Sequence, residues 1–266
     1  MKFITDKAVT EASEIEYIRF GSGDKTLVIL PGLSVQSVIP SAPAIAKQYE
    51  ALCDEFTVYL FDRRSVLPDT YKIADMARDT AEAIKTIGLK DVCLFGVSQG
   101  GMIAIEIAAR YPGLVNKMVL GSTACRIDDE RIAAVSEWIE LAKKAKSEEL
   151  YLTFAKYVYP ESFYNEYRKA FAVLSRTVTD SDLERFTILA EGIKGLDLTE
   201  NVKKIECPVL VIGDSDDAVL GPDASEEIAE LLKNGSLYMY SGYGHAVYDM
   251  APDYIQRLLS FFTRDF

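Results

Sequence analysis

The sequence predicts an α/β fold: a mostly parallel β-sheet with helices on both faces and a helical segment inserted into it. Three observations predict this. Short, continuously apolar runs alternate with amphipathic ones, as strands buried on both faces alternate with the helices that cover them. Glycine or charged turns close the apolar runs. Between residues 126 and 204 the alternation stops and only helical spacing remains.

Glu14 to Phe20 alternates apolar and polar residues, which predicts a half-buried edge strand ending at Gly21-Ser22-Gly23. Thr26 to Leu30 is wholly apolar apart from its first residue and stops at Pro31-Gly32, as an internal strand does. Ser41 to Leu52 suits a helix with Pro43 in its first turn. Phe56 to Phe61 is β-rich and is followed by the charged Asp62-Arg63-Arg64-Ser65. Ile73 to Ile87 carries apolar residues at helical spacing and ends at Gly88. Val92 to Phe95 reads as a buried strand, and Met102 to Arg110 as a helix stopped by Pro112-Gly113. A short strand, Met118 to Leu120, follows.

Helical patterns then occupy about 129–145, 147–158, 161–174 and 180–192. They are rich in aromatics: Trp138, Tyr151, Phe154, Tyr157, Tyr159, Phe163, Tyr164, Tyr167, Phe171 and Phe186. This divides the chain into a core, 1–125 and 205–266, and an inserted helical cap, 126–204. Some cap aromatics pack it onto the core, and others are available to line an apolar pocket. The alternation resumes with a strand at Val209–Ile212, a helix from Pro222 to Leu232, a strand at Ser236–Tyr240 and a closing helix from Pro252 to Phe262.

Composition excludes several functions. The chain has 266 residues, 49% hydrophobic, and a net charge of −12. That balance opposes binding to nucleic acid or to an anionic membrane surface, both of which need a basic face. No apolar run approaches the length of a membrane span, and the first residues lack the apolar stretch of a secretion signal. Cys53, Cys93, Cys125 and Cys207 are scattered without metal-ligand spacing, and are expected to be free thiols in a reducing, cytoplasmic compartment. The expected partner is a small-molecule substrate, with no metal and no cofactor.

The chemistry converges on Gly96-Val97-Ser98-Gln99-Gly100-Gly101, placed between a strand and a helix. Gly-x-Ser-x-Gly at a strand-to-helix turn forces the serine into a strained conformation and holds its hydroxyl above a helix N-terminus. Alone, the pentapeptide is weak evidence, since glycine at about 7% of residues makes it a roughly one-in-ten coincidence in a chain of this size. His245 is the single histidine, so there is no competing imidazole base.

Taken together these features resemble the α/β-hydrolase family over nearly the whole chain apart from the cap. Leu30-Pro31-Gly32-Leu33, Asp62-Arg63-Arg64, the elbow at Ser98, an acidic turn after Val209–Ile212 and Gly242-Tyr243-Gly244-His245 occur in the family's order. The resemblance implies Ser98 as nucleophile, His245 as general base and an aspartate of Asp216-Asp217 as the orienting acid. Asp217 is favoured because Val219 then takes the apolar position two residues on; Asp216 is the alternative. The oxyanion hole would be the backbone N–H groups of Gln99 and Leu33. Two departures stand out: Pro31-Gly32 replaces a common His-Gly, and Arg64-Ser65-Val66 replaces a common Gly-x-Ser turn. Arg63 and Arg64 are expected to pair with acidic loops or helix ends. The resemblance implies hydrolysis of a carboxylic ester with a small or medium apolar acyl group. The alternatives are carbon–carbon, thioester or lactone hydrolysis or perhydrolysis by the same triad, and, more distantly, a non-catalytic ligand-binding protein on this fold.

Overall fold

A computed structural model describes residues 2–265; the terminal residues 1 and 266 of the expected core lie outside it. Eight strands form one sheet in the order β1-β2-β4-β3-β5-β6-β7-β8. They are β1 (Phe3–Val9), β2 (Glu14–Phe20), β3 (Lys25–Leu30), β4 (Phe56–Arg64), β5 (Val92–Val97), β6 (Val115–Gly121), β7 (Val209–Asp214) and β8 (Gly235–Tyr240). From β4 through β8 every neighbouring pair is parallel, while β1–β2 and β2–β4 are antiparallel.

Two strand expectations are corrected. Glu14–Phe20 is not the edge strand, because Phe3–Val9 pairs outside it from Phe3 opposite Phe20 to Val9 opposite Glu14. Only Ala8 of β1 is buried, so this strand carries almost no apolar signal. The strand expected at Phe56–Phe61 runs on through Arg64, and Asp62 and Arg63 are buried within it rather than forming a charged turn.

The sheet separates two apolar cores, as period-2 alternation of side chains requires. Val28, Leu30, Leu94, Met118, Leu120 and Val211 face one side. There they meet α2 (Ile73–Thr86), α3 (Gln99–Arg110) and later α9 (Ala224–Leu231). Leu27, Ile29, Phe95, Val119, Leu210 and Ile212 face the other. There they meet α1 (Ala42–Gln48) and α11 (Tyr254–Thr263). The single helix expected at Ser41–Leu52 is instead α1 flanked by 3-10 turns at Ile39–Ser41 and Glu50–Leu52.

Between β6 and β7 the chain forms α4 (Ala133–Lys143), α5 (Ser147–Val158), α6 (Glu161–Leu174), α7 (Asp180–Glu191) and the short α8 (Thr199–Val202). Trp138, Ile139, Leu183, Phe186 and Leu189 of these helices join the first core. Thr179 starts α7 with a reciprocal capping box to Asp182. A last short helix, α10 (Val247–Met250), precedes α11. No described helix is long and apolar enough to cross a membrane.

Candidate active site

The site lies beyond the carboxyl ends of β3, β5, β7 and β8, where loops of an α/β sheet converge. Ser98 sits between β5 and α3 with φ 51° and ψ −121°, a backbone conformation disfavoured for a side chain with a Cβ. Several bonds hold it there. Its N–H donates to Gly121 O at 2.9 Å, and its carbonyl accepts from Gly101 N at 2.8 Å and from Thr123 Oγ1 at 2.7 Å. Glycine is required around it for space: a Cβ on Gly96 would stand 2.5 Å from Gly100 O, and one on Gly100 2.0 Å from Leu30 O.

Ser98 Oγ lies 3.0 Å from His245 Nε2, and His245 Nδ1 lies 2.8 Å from Asp217 Oδ2. A carboxylate only accepts, so Nδ1 carries the proton and Nε2 is free to accept from the serine hydroxyl. His245 is 4% and Asp217 7% exposed, so both work in a low-dielectric setting. Asp217 Oδ1 accepts from Val219 N at 2.8 Å and Leu220 N at 3.1 Å. Burial alone would push the Asp217 carboxyl up, but its electrostatic and hydrogen-bond interaction with His245 and the two backbone N–H groups outweigh it and hold it below the usual carboxylate range.

The three neighbouring aspartates are not equivalent. Asp216 is exposed, and its Oδ2 accepts from Gly242 N at 2.7 Å. Asp214, the last residue of β7, accepts from Asp216 N at 2.8 Å and Tyr243 N at 3.1 Å. Both fasten the histidine loop to the acid turn. Val219 is buried and Ala218 exposed, the register expected if Asp217 is the inward-facing acid.

Gly32 and Leu33 pass close to the serine; a Cβ on Gly32 would be 3.2 Å from Ser98 Cβ. The backbone N–H groups of Leu33 and Gln99 find no protein acceptor among the described residues. Around Ser98 and His245 lies a cavity of about 30 Å³. Its walls are mainly apolar: Met102 from α3, Val135 and Trp138 from α4, and Phe154 and Val158 from α5, with Tyr248 beside the histidine. Of the ten aromatics noted between residues 138 and 186, only Trp138 and Phe154 line it. Trp138 and Phe154 pack against each other with ring centroids 4.5 Å apart. The Trp138 indole N–H has no hydrogen-bond partner among the described residues.

Arg63 departs from expectation. Arg64 does pair with an acid, buried Asp79 of α2, at 3.1 Å. The Arg63 guanidinium instead donates to Pro31 O at 2.7 Å and to the Gln99 side-chain oxygen at 3.2 and 3.3 Å. Gln99 Nε2 donates in turn to Leu189 O at 2.7 Å. The partners fix the amide orientation, since a flip would set donor against donor and acceptor against acceptor. Burial pulls the Arg63 guanidinium down to about 10, against the Asp62 carboxylate beside it, so it remains a cation at neutral pH.

Gln36, on the loop after β3, is a second connection that the sequence did not mark. It donates to Thr177 O and Asp182 Oδ2, both at 3.3 Å, and accepts from Tyr151 Oη at 3.0 Å. Neither glutamine belongs to a charged or metal-ligand pattern. The available signal was position alone: Gln99 follows the elbow serine, and Gln36 follows the Pro31-Gly32 loop.

Cys93, Cys125 and Cys207 are free thiols. A family model described as the alpha/beta hydrolase family matches residues 27–257. Among curated proteins, "Putative carbamate hydrolase RutD" of Rhizobium rhizogenes is 26% identical over 237 residues, covering 86% of this chain and 88% of that protein. The human serine hydrolase BPHL is 30% identical over 152 residues, covering 52% of this chain and 51% of that protein. Among solved structures, an alpha/beta hydrolase from a Medee basin deep-sea metagenome library superposes with a TM-score of 0.87 at 21% identity, covering 98% of both chains. The enol-lactonase of Burkholderia xenovorans gives 0.84 at 20% identity, covering 97% of this chain and all of that one. With a family match across most of its length and the same fold in these structures, the chain belongs to the alpha/beta hydrolase family of enzymes.

Proposed function

We propose that the protein is a serine hydrolase that cleaves carboxylic esters of small apolar acids through Ser98, His245 and Asp217. The observation that carries this reading is the hydrogen-bonded chain from Ser98 Oγ through His245 to the buried Asp217 carboxylate, set against an apolar cavity. Ser98 Oγ attacks the ester carbonyl carbon while His245 Nε2 takes its proton. The carbonyl π electrons move to oxygen, and the N–H groups of Gln99 and Leu33 stabilise that oxyanion at the positive end of α3. His245 then protonates the departing alkoxide, leaving an acyl group on Ser98. Water, deprotonated by His245, adds to the acyl carbonyl; collapse breaks the bond to Ser98 Oγ, His245 returns the proton to that oxygen, and the acid is released. Asp217 holds the imidazole tautomer and stabilises its charged form throughout.

The size of the cavity selects the acyl group. About 30 Å³ accommodates roughly two waters or a short alkyl group, so in this reading the cavity takes the acetyl or propionyl chain of the ester against the walls from α4 and α5. The residues from 126 to 204 act in this reading as a cap over the serine. A second reading, hydrolysis of a small carbamate by the same residues, is favoured by the printed names of several relatives.

The test is a panel of chromogenic acetyl, butyryl and octanoyl esters and a matched carbamate, together with a fluorophosphonate probe located by mass spectrometry. Label on Ser98, turnover falling with acyl length, and a loss of roughly 10⁴-fold or more in Ser98→Ala are expected. Undiminished turnover in Ser98→Ala would sink the reading, and faster turnover of the carbamate would transfer it to that substrate.

A further inference from the structure

Arg63 is 5% exposed and is not part of the proton-transfer chain. Buried guanidinium groups are ordinarily matched by a carboxylate, since an uncompensated charge is costly. Here the adjacent carboxylate is taken: Asp62 Oδ1 accepts from Arg185 Nη2 of α7 at 2.7 Å and from the Arg63 backbone N–H at 2.7 Å. Among the described residues no carboxylate lies within ion-pair distance of the Arg63 guanidinium. Its acceptors are two neutral oxygens, Pro31 O and Gln99 Oε1.

The sheet order explains the reach. β4, β3 and β5 are adjacent, so Arg63 at the end of β4 extends across the end of β3 to the elbow after β5. Each acceptor belongs to a segment carrying one proposed oxyanion donor. Pro31 lies two residues before Leu33, and Gln99 is itself the other donor residue. Because a peptide group is planar, holding Pro31 O fixes the plane through Gly32 N and the direction in which the loop continues. Holding the Gln99 side chain fixes the first residue of α3.

We propose that Arg63 is the positioning residue of the oxyanion hole. Its guanidinium sets the separation of the Leu33 and Gln99 N–H groups and places a positive charge behind them. The inference rests on the reading that these two N–H groups receive the oxyanion. The same clamp continues through Gln99 Nε2 to Leu189 O, so α7 is tied to it.

The experiment compares wild type with Arg63→Met, Arg63→Lys, Gln99→Met and Ser98→Ala. It measures kcat and KM on an acetyl ester, Ki for an alkyl trifluoromethyl ketone that adds to the serine as an oxyanion, and thermal midpoints. Arg63→Met is expected to lose about 100-fold in kcat, the scale of a lost oxyanion donor, with KM within ~3-fold. The trifluoromethyl ketone Ki should rise in proportion to the loss in kcat/KM. Arg63→Lys should recover roughly 10-fold of the loss, since an ammonium restores the charge without the fork. Gln99→Met keeps its backbone N–H and should lose ~10-fold, and the added double variant Arg63→Met with Gln99→Met should lose less than the product of the two single losses because they share one bridge. A folded Arg63→Met with kcat within ~3-fold of wild type, or a loss that leaves the trifluoromethyl ketone Ki unchanged, overturns the inference. If Arg63→Met does not fold, Arg63→Lys carries the test on the same proportionality. Undiminished turnover in Ser98→Ala would instead overturn the hydrolase reading beneath it.

Discussion

Three aspartates within four residues do three different things. Asp217 faces the imidazole, Asp216 receives Gly242 N, and Asp214 receives Asp216 N and Tyr243 N. Asp217→Asn is therefore expected to lose roughly 10⁴-fold in kcat, because the amide can present a donor to Nδ1 and select the wrong tautomer. Asp216→Asn retains an acceptor oxygen for Gly242 N and should lose no more than ~10-fold. Steady-state kinetics of the two variants on one ester decides between them. The depressed Asp217 carboxyl also has a stability consequence. A group whose folded value lies below its unfolded value of about 3.9 stabilises fully above that pH, and the gain disappears as pH falls through the folded value. Urea unfolding of wild type and Asp217→Asn should show a gap that narrows as pH falls below ~4. The inward register of Asp217-Ala218-Val219 was legible in the sequence because burial alternates there. The bonds of Asp216 to Gly242 N and of Asp214 to Tyr243 N were not, since a carboxylate meeting an N–H 26 to 29 residues away leaves no periodic trace.

Among elements, legibility followed burial. β3, β5 and β7 are apolar on both faces and stood out as continuous runs. β1, exposed at six of its seven positions, did not, although its backbone pairs with β2 along its whole length. The extension of β4 into Asp62-Arg63 was hidden for a related reason: charged residues read as a turn unless their buried partners are known. The strand–elbow–helix unit was the most legible because steric demand concentrates glycine there. Gly100→Ala puts a methyl 2.0 Å from the Leu30 carbonyl, against backbone that cannot rotate away. It should cost about 3 kcal/mol or more in unfolding free energy, measured by denaturant titration, or prevent folding. Gly113→Ala, where the added Cβ meets nothing within 4 Å, is the matched control and should be near neutral.

At the scale of the whole molecule, the fold and family were legible because five motifs occur in one order on a β/α alternation that spans the chain. Which aromatics between 138 and 186 line the cavity was not, because they serve two ends that composition does not separate. Phe186 is fully buried in the core, while Phe154 faces the cavity. These helices are joined to the site on more than one side. Gln36 holds the start of α7 through Asp182, Gln99 holds its end through Leu189 O, and Arg185 between them meets Asp62. Relatives of one fold are commonly pictured as a constant engine fitted with interchangeable covers. In this protein the inserted helices are hydrogen-bonded to the residue that follows Ser98. A chimaera carrying a relative's sequence at 126–204 should fold yet lose kcat, and regain it when residues 180–191 are restored, which ester kinetics on the two chimaeras would check. Changes of specificity here would have to be inherited in pairs, one partner in the inserted helices and the other beside the serine.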